Sequence, residues 1–368
     1  MVLKYITADN TIIFSPHYNE PLDLELNIQN YTKIIFSDWE LNDGSNDGLN
    51  DGLNDGLNDG LNDGLNDGLN DVLFEVYENY HYKKYHCTNS QTYTIFELCK
   101  NANLKYTCSR FSRPLANSLN NCSALTHINF GHFFDCPLHN SLHNCTALTH
   151  IIFGYNFDCP LANSLHNCTA LTYIAFGNIF NCPLANSLNN CQSLTHIAFG
   201  FDFNQPLANS LVVCTSLTHI EFSYRFNQPL CNVLNNCTSL VHLELGENFD
   251  QEIDFPFNMK SLSLNTNNRF YTEYLPDTIE EINLGYNFDL DLNNLPSSIK
   301  KIKFVKFSKY NRELNCLPNG LSILELPYKY DKQILLIPCA LKKLICSEDY
   351  LYIGDFTSIE VETYLERN

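Results

Sequence analysis

Charged residues are scarce in this chain of 368 residues, since Asp, Glu, Lys and Arg make up 17% of it, whereas about a quarter is usual. Cations are scarcer still: 22 Lys and Arg stand against 41 Asp and Glu, and the net charge is −19. A chain with so few cations is not expected to bind nucleic acid or an anionic membrane. Apolar residues nevertheless reach 44%, which is enough to bury a core.

Targeting and membrane signals are lacking as well. The opening residues, MVLKYITADN, contain no apolar segment of the kind that a secretory signal needs. No run approaches the ~18 apolar residues of a membrane-spanning helix. We therefore expect an intracellular protein of the cytoplasm, or of the host cytoplasm if the gene is viral. The 16 Cys are then expected to be unpaired.

Catalytic and metal-binding motifs are also missing. The sequence contains no Gly-rich phosphate loop, no Gly-x-Ser-x-Gly and no His-Glu-x-x-His. It contains no Cys-x₂-Cys pair of the kind that typically binds zinc. Its cysteines instead recur in phase with a repeat, which indicates packing. We predict no enzymatic activity, no cofactor and no metal.

The chain is dominated by a repeated unit with the pattern L-x-x-I-x-F-x-x-x-F-x-x-x-L. Successive units begin 23 residues apart at Leu125, Leu148, Leu171, Leu194, Leu217 and Leu240. The repeat extends back to about Ile12, and after Leu240 its interval shortens to 19–22 residues. One unit cannot bury its own apolar face, but stacked units can. The pattern predicts a repeat solenoid with a leucine-rich-repeat-like stack of parallel strands and units of about 19–23 residues.

The period divides the chain into five segments. They are the first repeat units with an N-terminal cap (1–40), a low-complexity insertion (41–72), an irregular Tyr-rich connection (73–98), the main solenoid (99–354) and a C-terminal cap (355–368). The first unit of the main solenoid is expected to consist of Cys99, Leu104, Tyr106, Phe111 and Leu115, and it lacks about one residue of the repeat.

The insertion at 41–72 consists of Asn-Asp tetrapeptides, mostly Leu-Asn-Asp-Gly. A four-residue period fits neither helix nor strand, and Gly and Asn-Asp favour turns. A flexible surface insertion is one interpretation. A Ca²⁺-binding tract with ligands such as Asp43, Asp47 and Asp51 is a second, and a regular turn solenoid is a third.

The outward positions of each strand form rows along the stack, because side chains alternate between the two faces. We predict that these rows bind a partner: Thr126, His127, Thr149, His150, Thr172, Tyr173, Thr195, His196, Thr218, His219, Glu221, His242 and Glu244. The alternative is that the His column is a by-product of repeat duplication. Stacked imidazoles repel when protonated, so binding or stability is expected to weaken below about pH 6. A basic patch is predicted further along, at Lys300, Lys301 and Lys303.

The segment LGYNFDLDLNNLPSSIKKIKF (Leu284–Phe304) and the FNQPL segments at Phe203–Leu207 and Phe226–Leu230 resemble the FNIP repeat. This leucine-rich-repeat relative occurs in social amoebae and giant amoeba-infecting viruses. The resemblance covers most of Ile12–Cys346 except about Leu41–Leu98. The phrase Asn-Cys-x-x-Leu-x-x-Ile also resembles bacterial surface leucine-rich repeats, which implies the same fold class.

Because repeats present like groups in rows and no catalytic motif is visible, we expect a non-catalytic scaffold that binds a protein partner through its strand face. Some FNIP proteins carry an F-box and act with ubiquitin-ligase subunits, but Ile12–Phe36 already has the form of a repeat unit, and no F-box is visible. A ubiquitin-ligase substrate receptor and a repeat protein without a specific partner remain as alternatives.

Overall fold

The computed structural model describes residues 5–8, 10–15, 18–20, 22, 28–36, 39–41, 104–106, 110–115, 118–119 and 122–364. The low-complexity tract (except Leu41) and the Tyr-rich segment 73–98 lie outside the described residues, so the three interpretations of the tract stay predictions. The described residues form a 15-stranded sheet and a separate two-stranded sheet.

The main sheet follows chain order and leaves out only β4 (Trp39–Leu41) and β5 (Leu104–Tyr106). Its strands are β1 (Tyr5–Ala8), β2 (Thr11–Phe14), β3 (Lys33–Phe36), β6 (His127–Asn129), β7 (His150–Ile152), β8 (Tyr173–Ala175), β9 (His196–Ala198), β10 (His219–Glu221), β11 (His242–Leu245), β12 (Ser261–Leu264), β13 (Glu281–Leu284), β14 (Lys301–Phe304), β15 (Ile323–Glu325), β16 (Lys343–Ser347) and β17 (Glu360–Tyr364). β1 pairs antiparallel with β2, and every later neighbouring pair is parallel. The predicted leucine-rich-repeat-like solenoid is thereby confirmed.

Helical structure is slight among the described residues. It consists of one α-helical turn, α1 (Phe270–Glu273), and 3-10 turns at Ile28–Asn30 and Ile353–Asp355. The strand β17 lies within the range predicted as a C-terminal cap, where it pairs with β16 and extends the sheet.

The core consists of in-phase apolar side chains stacked from coil to coil. In the β10 unit, Ile220, Phe222 and Phe226 are fully buried. The Phe222 ring lies 3.9 Å from the Phe226 ring in the same coil and 5.3 Å from Phe199 in the coil before. Burying one such side chain stabilises the fold by about 2 kcal/mol. The repeated Leu, Ile and Phe positions therefore define the coil.

The Asn of the Phe-Asn-x-Pro-Leu element accepts hydrogen bonds from the next coil. The Asn204 Oδ1 accepts hydrogen bonds from the Asn227 backbone N (2.9 Å) and from the Gln228 Nε2 (3.0 Å). The Asn181 Oδ1 accepts in the same way from the Asn204 N, at 2.9 Å. This ladder satisfies backbone groups that have no strand partner, which explains why the motif requires a short polar side chain at this place.

The return segment contains alanines in the left-handed region of backbone conformation. Ala162, Ala185 and Ala208 have φ of 47°, 45° and 37°, and Asn232 in the next unit has a φ of 61°. A residue with a Cβ costs about 1–2 kcal/mol in this conformation. The Ala185 carbonyl accepts a hydrogen bond from the buried Ser210 Oγ at 3.0 Å, which offsets part of that cost.

The turn after each strand brings neighbouring coils very close together. A Cβ added to Gly177 would lie 1.7 Å from the carbonyl oxygen of Gly154, so a side chain there displaces the backbone. Ser223 occupies this place in the β10 unit and is buried, which shows that the β10 unit accommodates one small side chain.

The first unit of the main solenoid differs from the sequence prediction. Leu104 and Tyr106 lie in β5, which pairs antiparallel with β4 outside the main sheet. The coil is completed instead by β3, which pairs directly with β6. The Phe111 ring stacks 3.9 Å from Phe36. The coil is therefore split, because residues 37–109 are inserted between its strand and its return segment.

Candidate functional site

The strand-face stripe is the set of outward side chains on β6–β11 and on the residue before each strand. Along each strand the central residue is buried and its flanking residues are half-buried in most units. In-register pairing joins His127 to His150 and His196 to His219. At about 4.8 Å per strand, the stripe is about 24 Å long. The stripe comprises Thr126, His127, Asn129, Thr149, His150, Ile152, Thr172, Tyr173, Thr195, His196, Ala198, Thr218, His219, Glu221, Val241, His242 and Glu244, and the equivalent Ala175 is buried.

The threonines of the stripe form an inward hydrogen-bond chain. The Thr195 Oγ1 donates to the Thr172 carbonyl oxygen at 2.9 Å, and the Thr218 Oγ1 donates to the Thr195 carbonyl oxygen at 2.9 Å. Thr126, Thr149 and Thr172 repeat the arrangement in the earlier coils. The hydroxyl hydrogens are thus used within the solenoid.

This chain fixes the tautomer of the neighbouring histidines. The Thr195 Oγ1 lies 2.8 Å from the His196 Nδ1. Because the hydroxyl hydrogen is already donated, the Oγ1 accepts here, so Nδ1 carries the hydrogen and Nε2 carries the lone pair. The same geometry holds at His127, His150 and His219.

The imidazole rings stack in two close pairs. The ring centroids of His127 and His150 are 4.3 Å apart, and those of His196 and His219 are 4.2 Å apart. Tyr173 stands between the pairs, 5.7 Å from His150 and 6.1 Å from His196. The His column is therefore a continuous row of rings.

Burial lowers the pKa of these histidines. The pKa of His127 falls to about 4 through burial and then through the nearby His150 and Lys33. The pKa of His196 also falls to about 4, through burial and then mainly His219. Burial also lowers the pKa of His150 and of His219. The rings of His127 and His196 thus stay neutral in the folded protein well below the pH of about 6 that the sequence suggested, because half-burial disfavours the charged ring.

The two ends of the stripe differ in charge. Glu221 and Glu244 are in-register neighbours on β10 and β11. At the other end, Lys33 on β3 is the in-register neighbour of His127. Val241 replaces the threonine of the last unit, and His242 there bonds to the Ser261 Oγ at 2.9 Å. The stripe is thus acidic at its β10–β11 end, while Lys33 lies on the strand just beyond its β6 end.

The sheet face beyond β12 is ionic and internally paired. The Lys300 Nζ lies 2.6 Å from Glu280, and the Lys301 Nζ lies 3.2 Å from Glu281. Lys303 is the in-register neighbour of Glu325, whose pKa burial raises. Acids from the adjacent strands thus balance the predicted basic patch of Lys300, Lys301 and Lys303.

The sequence prediction did not include a second row of rings at the turn that follows each strand. The rings of His132 and Tyr155 stack at 4.9 Å, and those of Phe201 and Tyr224 stack at 4.7 Å. Asn178 stands between these two pairs in the repeat. Each of these residues comes seven positions after the first Leu of its unit. The repeat phase could therefore have predicted this second row from the sequence.

Most of the described cysteines lie in two columns. Members of the first are fully buried: Cys122, Cys145, Cys168, Cys191, Cys214 and Cys237. Burial raises the pKa of the Cys122 thiol to about 11. In the second column, the Cys159 Sγ donates to the Asp135 Oδ1 at 3.3 Å. Among the described residues, no three His, Cys, Asp or Glu side chains converge on a site for a metal ion.

Similarity to known proteins supports the repeat frame. Residues 267–307 match the model of the FNIP Repeat, which confirms the resemblance. No curated protein matches the sequence. In the part of the chain that the structure describes, no helix has the length and apolarity needed to cross a membrane.

One solved structure shows the same fold, and another is similar in part. CroV588, a circular leucine-rich-repeat protein from a giant virus, is 21% identical with a TM-score of 0.56 over 95% of this chain. An internalin, inlF from Listeria monocytogenes, is 16% identical with a TM-score of 0.47, over 68% of this chain and 78% of its own. The chain spans 48% of CroV588, about half its length. The likeness to CroV588 establishes the fold class alone.

Proposed function

Since the chain is a leucine-rich-repeat-like solenoid that contains a FNIP repeat, we propose that it is a non-catalytic scaffold that binds a protein partner on the strand-face stripe. Folds of this kind are generally protein-interaction scaffolds, and their long sheet face is a usual partner surface. The stripe is about 24 Å long, which suits a protein surface or an extended segment.

One observation carries the proposal: the stripe is ordered by internal bonds but keeps hydrogen-bonding capacity facing outward. The threonine hydroxyls hold each ring in place, as at Thr195 and His196, while Nε2 of the ring makes no hydrogen bond within the described residues. Side chains that are fixed before binding lose little entropy when a partner docks. The ion-paired face beyond β12 lacks this combination, because its charges already satisfy one another.

The same geometry favours binding over catalysis. A catalytic site needs unlike groups that converge on one point, whereas the stripe presents like groups in parallel rows. We infer that the histidines act as hydrogen-bond acceptors and contact surfaces.

Affinity purification tests the proposal with a variant that places charge on the stripe. The variant His150→Glu/His196→Glu/His219→Glu, purified from cells that express it, is expected to lose a partner that the unaltered protein retains. The control Asn140→Glu/Asn163→Glu/Asn186→Glu adds the same charge at exposed positions of the return segments and should retain it. Circular dichroism checks that both variants fold.

The outcomes separate the alternatives. A specific partner that is lost only in the stripe variant supports the proposal. A partner that is lost equally in both variants, or in neither, contradicts it. The absence of any specific partner supports a repeat protein without one. Ubiquitin-ligase subunits among the retained proteins would support a substrate receptor, which no observation on the described residues favours now.

A further inference from the structure

The row at the turns after the strands continues beyond β12 as a surface of rings and lysines. We propose that this surface binds an acidic, apolar segment of a protein partner, separately from the strand-face stripe. The surface, called the turn-edge patch, comprises Tyr286, Val305, Lys306, Phe307, Lys309 and Tyr328. At about 4.8 Å per strand, it extends about 19 Å from the β13 unit to Tyr364 at the end of β17.

Apolar side chains of the turn-edge patch are exposed side by side. Val305 is 46% exposed and Phe307 is 45% exposed, and the two flank Lys306 in the chain. The Phe307 ring lies 6.3 Å from the Tyr328 ring, which lies 6.0 Å from the Tyr364 ring. Contiguous exposed apolar side chains that are bordered by polar groups are typical of a surface that contacts a partner.

Two lysines of the turn-edge patch are held over rings. The Lys306 Nζ lies 5.2 Å from the centre of the Phe307 ring. The Lys309 Nζ lies 4.6 Å from the centre of the Tyr286 ring, and it donates a hydrogen bond to the Asn287 Oδ1 at 3.2 Å. A ring face attracts an ammonium group electrostatically but accepts none of its hydrogens in a strong hydrogen bond. Both lysines therefore keep donors for a partner, and they are placed before it binds.

Several cations near the turn-edge patch pair with carboxylates instead. Those with a carboxylate oxygen within 3.4 Å of the side chain are Lys260, Lys300, Lys301, Arg312, Lys332 and Lys343. Within the described residues, Lys306 and Lys309 make no such pair, and neither does the exposed Lys329 beside Tyr328. Acids outnumber cations by 41 to 22 in the chain, so a partner's carboxylate is the acid that these lysines lack.

An acidic protein segment suits the turn-edge patch better than nucleic acid does. The attraction of a few lysines extends about 8–10 Å at physiological salt, which is enough for a few carboxylates. A long polyanion is repelled beyond that range by a chain whose net charge is −19. Glu348 occupies the equivalent place in the β16 unit and bounds the cationic surface. The exposed Val305 and Phe307 in turn favour a segment that carries apolar side chains between its acids.

Fluorescence anisotropy with labelled synthetic ligands tests the proposal on the full chain. The probe is an alternating Asp–Leu peptide of about eight residues, which is long enough to span the turn-edge patch when extended. Asp–Ser and Ser–Leu peptides of equal length remove the apolar groups and the charge in turn, and a single-stranded oligonucleotide tests the nucleic-acid alternative. The Asp–Leu peptide is expected to bind most tightly of the four.

Matched variants place the peptide on the turn-edge patch. Lys306→Gln/Lys309→Gln should weaken Asp–Leu binding about tenfold, because two ammonium groups are lost. Lys260→Gln/Lys342→Gln removes the same charge from exposed positions of the sheet face and should leave the affinity unchanged. Phe307→Ala should weaken binding about fivefold, because less apolar surface is covered. Circular dichroism checks that each variant folds.

Several results would overturn the proposal. They are equal weakening in the two lysine variants, equal affinity for the Asp–Leu and Ser–Leu peptides, no binding of any peptide, or tighter binding of the oligonucleotide. The variant His150→Glu/His196→Glu/His219→Glu should bind the Asp–Leu peptide as the unaltered chain does, because its substitutions lie on other strands. The turn-edge patch and the strand-face stripe are therefore tested independently.

Discussion

Lowering the pH should destabilise the fold through the histidines of the stripe. In the folded chain the pKa of His127 and His196 is about 4, because burial and neighbouring charge disfavour the protonated ring. In the unfolded chain the value returns to about 6.5. Between these values the unfolded state binds more protons, so the free energy of unfolding decreases as the pH falls. The contribution is complete above about pH 6.5 and is lost progressively towards pH 4.

The size of the effect follows from the pKa difference and the exposure of the rings. A difference of this size corresponds to about 3 kcal/mol for a group shielded from water. His127 and His196 are half-buried, and solvent screening reduces the value to about 1 kcal/mol each by about pH 5. The unaltered chain should therefore lose about 2 kcal/mol more than His127→Gln/His196→Gln between about pH 7.5 and about pH 5.

Urea denaturation followed by circular dichroism at the two pH values measures the difference. The many carboxylates also titrate in this pH range and change the net charge. Their contribution to the free energy of unfolding cancels when the variants are compared with the unaltered chain. His143→Gln/His166→Gln replaces two exposed histidines on the return segments and should behave like the unaltered chain. Equal pH dependence in the unaltered chain and in His127→Gln/His196→Gln would refute the reasoning.

Three substitutions test the repeat frame by thermal or urea denaturation. Gly177→Val should destabilise the fold by about 3 kcal/mol, because the added Cβ meets the Gly154 carbonyl. Gly354→Ala, which has open space around it, should have little effect. Equal effects of the two substitutions would contradict the close approach of coils at Gly177. Ala185→Asn should stabilise the fold by about 0.5–1 kcal/mol, because Asn adopts the positive φ of this position at a lower cost than Ala. A loss of stability would show that the conformation is not strained. Asn204→Ala should cost about 1–2 kcal/mol, because two donors in the next coil lose their acceptor; an unchanged midpoint would mean that water replaces it.

The sequence predicted the fold well because the coil is repeated many times. The period of 23 residues is enough to identify Ile220, Phe222 and Phe226 as core residues, since only in-phase apolar side chains can stack. The split coil could not be read in this way. Phe111 keeps the phase of Phe134, but a period does not reveal which strand completes a coil when an insertion separates the two halves.

The candidate site was predicted by position but not by chemistry. Alternation along the strand placed His196 outward, and the repeat gave its neighbours in the stack. The hydrogen bond from the His196 Nδ1 to the Thr195 Oγ1 depends on side-chain rotamers, which a repeat pattern in the sequence does not specify. The pairing of Lys300 with Glu280 could have been predicted from the sequence, because the two residues occupy the same place in successive units.

Site-specific photo-crosslinking tests the central claim, that a protein partner docks on the strand-face stripe, most directly. A photoreactive amino acid replaces Tyr173 at the middle of the stripe, or Tyr274, which is 65% exposed just after α1, as the control. Irradiation of expressing cells should yield a discrete crosslinked protein from position 173 and none from position 274. No crosslink at 173, or the same products from both positions, would contradict the claim.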